Sequence, residues 1–467
     1  MSFVDRRRFL VTGAGGLASL TYPWWLHAGW DLSVRSKMAR EALKITNIEI
    51  HEICPPYHDY NASWLFRYHG LGVQLRTIYI VKTNSGLEGI GESWGPRPKN
   101  DPSAQYLGTS AFDWMADTKN LSINMAVYDL MGKYLGLPCW KLIGPRIRSW
   151  VPVGAWTASQ PPEAMAEEVR SVSRRGYHWL KYHVDVIQNV LDQTEAMQEA
   201  APPGFRVHYD FNADSNFEAV SPVLKELEKF SVAGRVEDPI RAIDHEGYRI
   251  LRQKCSIPIL IHHGPGDVFM RKGLCDGVIG GHSPVGFAMK QAALAEATNT
   301  PLMLQQCGGT INRAFLAHES AVFKMATLDH VDLCDLWKED VTAESIPVVN
   351  GSIRVLEKPG LGVTIDRQKL KKLSQATRPT QTRFLVRMRY KNGFTVYFRF
   401  DPDAPGSNLR FLNPPDVPGA GLQRGTSGYA NPLVTDFWDE EGSVEFERLW
   451  KATSSGPVWK EREGSLG

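Results

Sequence analysis

The chain has 467 residues, 43% hydrophobic and 22% charged, enough apolar material to bury a large core in two or three domains. Its 53 basic and 51 acidic residues are mixed along the chain, so a formal charge of +2 leaves no electrostatic footprint for nucleic acid or an anionic membrane. The six cysteines are widely spaced and form no CxxC, which excludes a zinc ribbon or a dense disulfide scaffold and reads as a set of buried thiols.

Residues 1–42 read as an export signal and linker. Arg6 and Arg7 precede Phe9 and Leu10, and a small-residue, weakly apolar run follows that is too short and Gly-rich for a membrane span. The segment is similar to a twin-arginine signal, which places the protein in the periplasm. The alternative is a basic N-terminal helix on a cytoplasmic protein, and Gly13, Gly15 and Gly16 weigh against it, each weakening a helix by roughly 1 kcal/mol.

Residues 43–148 alternate like strands in LKITNIEIHEI, then run through a polar aromatic loop holding His58, Tyr60, Trp64 and His69. A hairpin about Asn84-Ser85-Gly86 and a helix with Ile123, Ala126, Val127, Leu130 and Met131 on one face complete a small α+β unit. From 149 to 345 short apolar strands alternate with helices. No GxGxxG turn follows the first strand, so the repeat predicts a (β/α) barrel and not a doubly wound sheet.

Barrel chemistry sits at the carboxyl ends of the strands. Those ends carry Lys181 and His183, then Asp210 and Asn212, Glu237, His262 and His263, His282, and Gln305 with Gln306. Lys181 and His183 are two apart on a strand, so both leave the same face, and either can serve as a general base. Asp210 and Glu237 on neighbouring strands suit a hard divalent cation such as Mg²⁺.

Residues 346–377 form a short Asn-Gly hairpin and a Pro-Gly-rich crossing. The β-rich extension, 380–467, opens with a hairpin turning at Asn392-Gly393 that lines up Phe394, Val396, Phe398 and Phe400. A lone hairpin is marginal, so this face needs a partner. The extension is expected outside the catalytic unit, with a role in homo-oligomer assembly favoured over sugar binding by Trp438, Trp450 and Trp459.

LEGIGES, AVYDLMGKYLGLPCWKLIG, KYH, DFN, EDP, DHEGYRIL and NGSIRVLEKPGLGVTID, taken in order, resemble the mandelate racemase and muconate lactonizing branch of the enolase superfamily. The resemblance implies a capping domain, completed by residues 346–377, over a modified (β/α)7β TIM barrel. It also implies removal of the proton α to a carboxylate by a Lys or His base, with Mg²⁺ stabilising the enediolate. Asp210 and Glu237 match two metal ligands, but the third acidic position, five residues after Pro258, is His263, so Mn²⁺, Fe²⁺ or Zn²⁺ becomes acceptable. Gln305 stands where a catalytic histidine is common, and its aspartate partner is replaced by Gly281 with His282 beside it. The expected activity is dehydration of a hydroxy or sugar acid, with His58, Tyr60, Trp64 and Asn212 toward the substrate. The alternatives are an impaired enolase-like binding protein and an epimerase using His282 as second base.

Overall fold

The computed structural model describes residues 43–213, 215–403 and 429–461, so the expected export signal lies outside the described residues. Alternating apolar residues build β1 (Ile45–Ile53), and the polar loop after it winds into α1 (Ala62–His69). β2 (Arg76–Thr83) and β3 (Glu88–Trp94) follow as the expected hairpin, and α2 (Leu121–Leu135) covers the antiparallel sheet β1-β2-β3. Close approach needs glycine here: a Cβ on Gly91 would lie 1.8 Å from the Ser122 carbonyl oxygen on α2.

The barrel strands are β4 (Trp150–Thr157), β5 (Trp179–His183), β6 (Arg206–Asp210), β7 (Ala233–Glu237), β8 (Ile259–Ile261), β9 (Gly277–Gly281), β10 (Leu302–Gln305) and β11 (His330–Val331). They pair in parallel in chain order, and β11 returns to β4, which closes the ring. Between them run α3 (Pro162–Arg174), α4 (Val190–Ala200), α5 (Phe217–Leu227), α6 (His245–Lys254), α7 (Gly266–Lys272), α8 (Val285–Ala297) and α9 (Thr310–Val322). Eight strands with seven intervening helices are the (β/α)7β plan that the family resemblance implied.

A buried ionic joint fixes the α+β unit to the barrel. The Arg76 guanidinium lies 3.0 Å from Glu92 and 2.5 Å from Asp340, with the Trp337 ring at 4.7 Å. The Glu92 carboxylate also accepts the Asn312 amide at the start of α9, at 2.6 Å. After the barrel, β12 (Ser352–Arg354) pairs antiparallel with β4, and α10 (Arg367–Ser374) returns to β1, where Arg367 meets Glu49 at 3.0 Å.

The extension forms β13 (Phe384–Tyr390), β14 (Thr395–Phe400), β15 (Leu433–Trp438), α11 (Val444–Ala452) and β16 (Val458–Lys460), with sheet order β15-β13-β14-β16. Val396, Phe398 and Phe400 are buried on one face as the alternation requires, while Phe394, in the turn, stays exposed. α11 covers the other face, burying Leu385 and Tyr397 against Phe446 and Leu449. No helix among the described residues is long and apolar enough to cross a membrane. All six cysteines are free, and only Cys54, Cys139 and Cys275 are fully buried, so the reading of six buried thiols holds for half of them.

Candidate active site

The register of the barrel strands stacks the polar residues in two rows. Lys181 on β5 aligns with His208 on β6, and one step nearer the mouth His183 aligns with Asp210, which aligns in turn with Glu237 on β7. Parallel pairing keeps aligned residues on one face, so all five point into the barrel. All five are buried. The Lys181 ammonium lies 3.1 Å from Asp210 and 2.5 Å from Glu237, and donates to the Gln305 side-chain carbonyl on the far wall. His183 Nε2 is 3.2 Å from Asp210, His208 Nε2 is 2.9 Å from Glu237, and His262 Nδ1 is 3.1 Å from Glu237.

These contacts set the charges. Burial pushes the Glu237 carboxyl up, but Lys181 and the hydrogen bonds from His208 and His262 outweigh it and hold it well below the usual range. For Asp210, burial and the Glu237 charge raise the carboxyl, and Lys181 and His183 reverse the sign. Burial disfavours the Lys181 ammonium, yet the two carboxylates win and lift it above its ordinary value. Lys181 thus stands as an ammonium between two carboxylates. The other base left open by the sequence, His183, lies nearer the mouth. Its ring meets Trp156 edge-on at 5.0 Å, and His69 from α1 approaches to 6.5 Å.

A third carboxylate, Asp238, joins Asp210 and Glu237, while His263, the ligand expected from the sequence, falls in a second group with Asp238 and His262. Ligand atoms of Asp210, Glu237 and Asp238 all lie within 4.8 Å of one another, whereas His263 groups only with Asp238 and His262. The reason is local. Asp238 takes a left-handed backbone (φ 44°), and its carboxylate accepts the amides of both His262 and His263 at 2.8 Å. That turn sends the His263 ring outward, 48% exposed, with Nδ1 on Asp238 at 2.8 Å. Asp210, Glu237 and Asp238 make an all-oxygen set that fits Mg²⁺, and the group with His262 and His263 adds imidazole ligands beside it. The Lys181 ammonium competes for Asp210 and Glu237.

Arg175, at the end of α3, binds His58 at 3.1 Å and the Tyr60 hydroxyl at 2.9 Å, which holds both on the flank of the barrel. Trp64 packs on Phe437 of the extension at 5.1 Å. None of the three joins the polar rows. Asn212 (φ 55°) closes a turn on Asp210, its amide donating to the carboxylate at 2.9 Å. His282 (φ 46°) sits four strands round the ring from His183, next to Trp94 of the α+β unit, with Nε2 at 3.7 Å from the Cys307 thiol.

Residues 164–369 match the family described as enolase C-terminal domain-like. A D-galactonate dehydratase of Xanthomonas euvesicatoria pv. vesicatoria is 27% identical over 281 residues, 54% of this chain and 72% of that protein. A D-gluconate dehydratase of Thermoproteus tenax is 26% identical over 335 residues, 64% of this chain and 66% of that protein. In fold, the chain is similar to muconate cycloisomerase from Pseudomonas fluorescens, with a TM-score of 0.59 at 20% identity, covering 72% of this chain and 99% of that one. Barrel topology and the family match agree: residues 164–369 are enolase C-terminal domain-like, and the chain shares its fold with a muconate cycloisomerase.

Proposed function

We propose that this enzyme dehydrates an acid sugar, with His183 as the base. The observation that carries the reading is the buried row His183–Asp210–Glu237 with the Lys181 ammonium against it. The relatives named D-galactonate and D-gluconate dehydratase support the substrate class. His183 Nε2 lies 3.2 Å from Asp210, so the carboxylate steadies the imidazolium once the ring has taken the α-proton. The imidazolium then returns that proton to the departing β-hydroxyl, which leaves as water, and the enol becomes a 2-keto-3-deoxy acid. Gln305, whose carbonyl is occupied by Lys181, keeps its amide N–H groups as donors for developing negative charge. Asp210, Glu237 and Asp238 would hold a divalent cation, which would supply positive charge for the substrate carboxylate. We also propose that residues 1–42 direct export by the twin-arginine route.

One observation favours a second reading. His282 and Cys307 lie across the ring from His183, where a second proton carrier would make the reaction an epimerisation. Protein purified without chelator, assayed on D-gluconate, D-galactonate and related acids, separates the two. The expected result is a 2-keto acid product, lost with EDTA and restored by Mg²⁺. Epimer formation without water loss selects the second reading, and no conversion of any acid with Mg²⁺ present overturns the first.

A further inference from the structure

The segment between β5 and α4, Val184 to Asn189, follows directly on His183 at the barrel mouth. Loops there are ordinarily exposed. Here all six residues are buried. The cover comes from the C-terminal extension, which lies beyond the family match ending at residue 369. Phe384, Val386, Met388, Phe398 and Phe437 share one apolar cluster with Ile187, Trp156 and Leu65. The polar ties are specific. The fully buried Thr435 hydroxyl donates to the Ile187 carbonyl, and the Val190 amide donates to the Tyr429 carbonyl at 2.9 Å. Lys391 meets Asp192 at 3.3 Å on α4, and the Tyr429 ring stands edge-on to Phe211, the residue after Asp210, at 4.8 Å.

The same sheet grips α1. Arg67 donates to the Phe437 carbonyl at 3.2 Å and pairs with Asp439. Tyr68 on α1 in turn donates to Asp185 in the buried segment. The extension therefore spans the α+β unit and the two barrel segments that leave His183 and Asp210.

We infer that the C-terminal extension is a working wall of the active site, in which Thr435 and Tyr429 are positioning residues for His183 and Asp210. This replaces the expectation that the extension lies outside the catalytic unit. The assignment of His183 rests on the function proposed above, but the grip on the segment does not. Threonine and valine have the same shape, so Thr435→Val removes only the donor and leaves the Ile187 carbonyl unpaired. Hydrogen exchange in the full chain should quicken about tenfold across residues 184–190, from the loss of one buried hydrogen bond, while α9 stays unchanged. Carbethoxylation of His183 by diethyl pyrocarbonate should rise in parallel. Thr435→Ser should restore both, and Val444→Ser, on the exposed side of α11, should change neither. With an acid that the wild type dehydrates, Thr435→Val should lower kcat more than it changes KM. Unchanged exchange and unchanged His183 reactivity in Thr435→Val overturn the inference, whether or not any acid is turned over. Faster exchange beside an inactive wild type supports the wall and overturns only the dehydratase reading.

Discussion

Lys181→Met is expected to destabilise the metal-free protein by about 3–5 kcal/mol, the cost of removing one partner from a buried ion pair. The ammonium is 1% exposed and contacts two carboxylates at once. Methionine keeps much of the volume but removes the ammonium between Asp210 and Glu237, leaving them only the imidazoles of His183, His208 and His262. A divalent cation binding the same oxygens should then stabilise the variant more than the wild type, where it must first displace the ammonium. Thermal melts of both proteins in EDTA and in millimolar Mg²⁺ check this. The expected pattern is a low melting temperature for the variant in EDTA and a larger upward shift with Mg²⁺. A variant that melts with the wild type in EDTA would show that Lys181 does not carry this charge balance.

The second large effect is on turnover. Replacing His183 with Asn keeps a hydrogen bond to Asp210 available but removes the basic nitrogen, and loss of a general base typically costs about 10²–10⁴ in kcat. Binding of Mg²⁺ and the melting temperature should change little, because His183 is not among the three grouped carboxylates. If His183→Asn retains most of its kcat while the Met variant at Lys181 loses it, the base is Lys181, and the ammonium must give up its proton when substrate and metal arrive.

The sequence exposed the barrel because strand and helix periods alternate without interruption from β4 to β11, and the two-residue spacing of Lys181 and His183 was enough to send both inward. The same spacing could have found His208, two residues before Asp210 on the same face and 2.9 Å from Glu237. Asp238 was harder to see. As the neighbour of Glu237 on a strand it should point away, and only its positive φ brings it back to the site. That same turn leaves the His263 ring half exposed on Asp238, grouped with His262 and not with Asp210 and Glu237. His58 and Tyr60 were polar groups near a mouth in sequence terms, but a single distant residue, Arg175, decided where they went. The partner of the C-terminal sheet was illegible for the same reason. Alternation shows that a face must be covered, while the covering surface, on α1 and the Val184–Asn189 segment, is more than 190 residues away in the chain.

The central claim is that proton removal occurs from one side of the substrate, the side of β5. Proton NMR in D₂O, run on each C2 epimer of an accepted acid, tests it most directly. The account predicts deuterium exchange or dehydration of one configuration only, abolished in His183→Asn. Interconversion of the two configurations would contradict it and place a second base at His282.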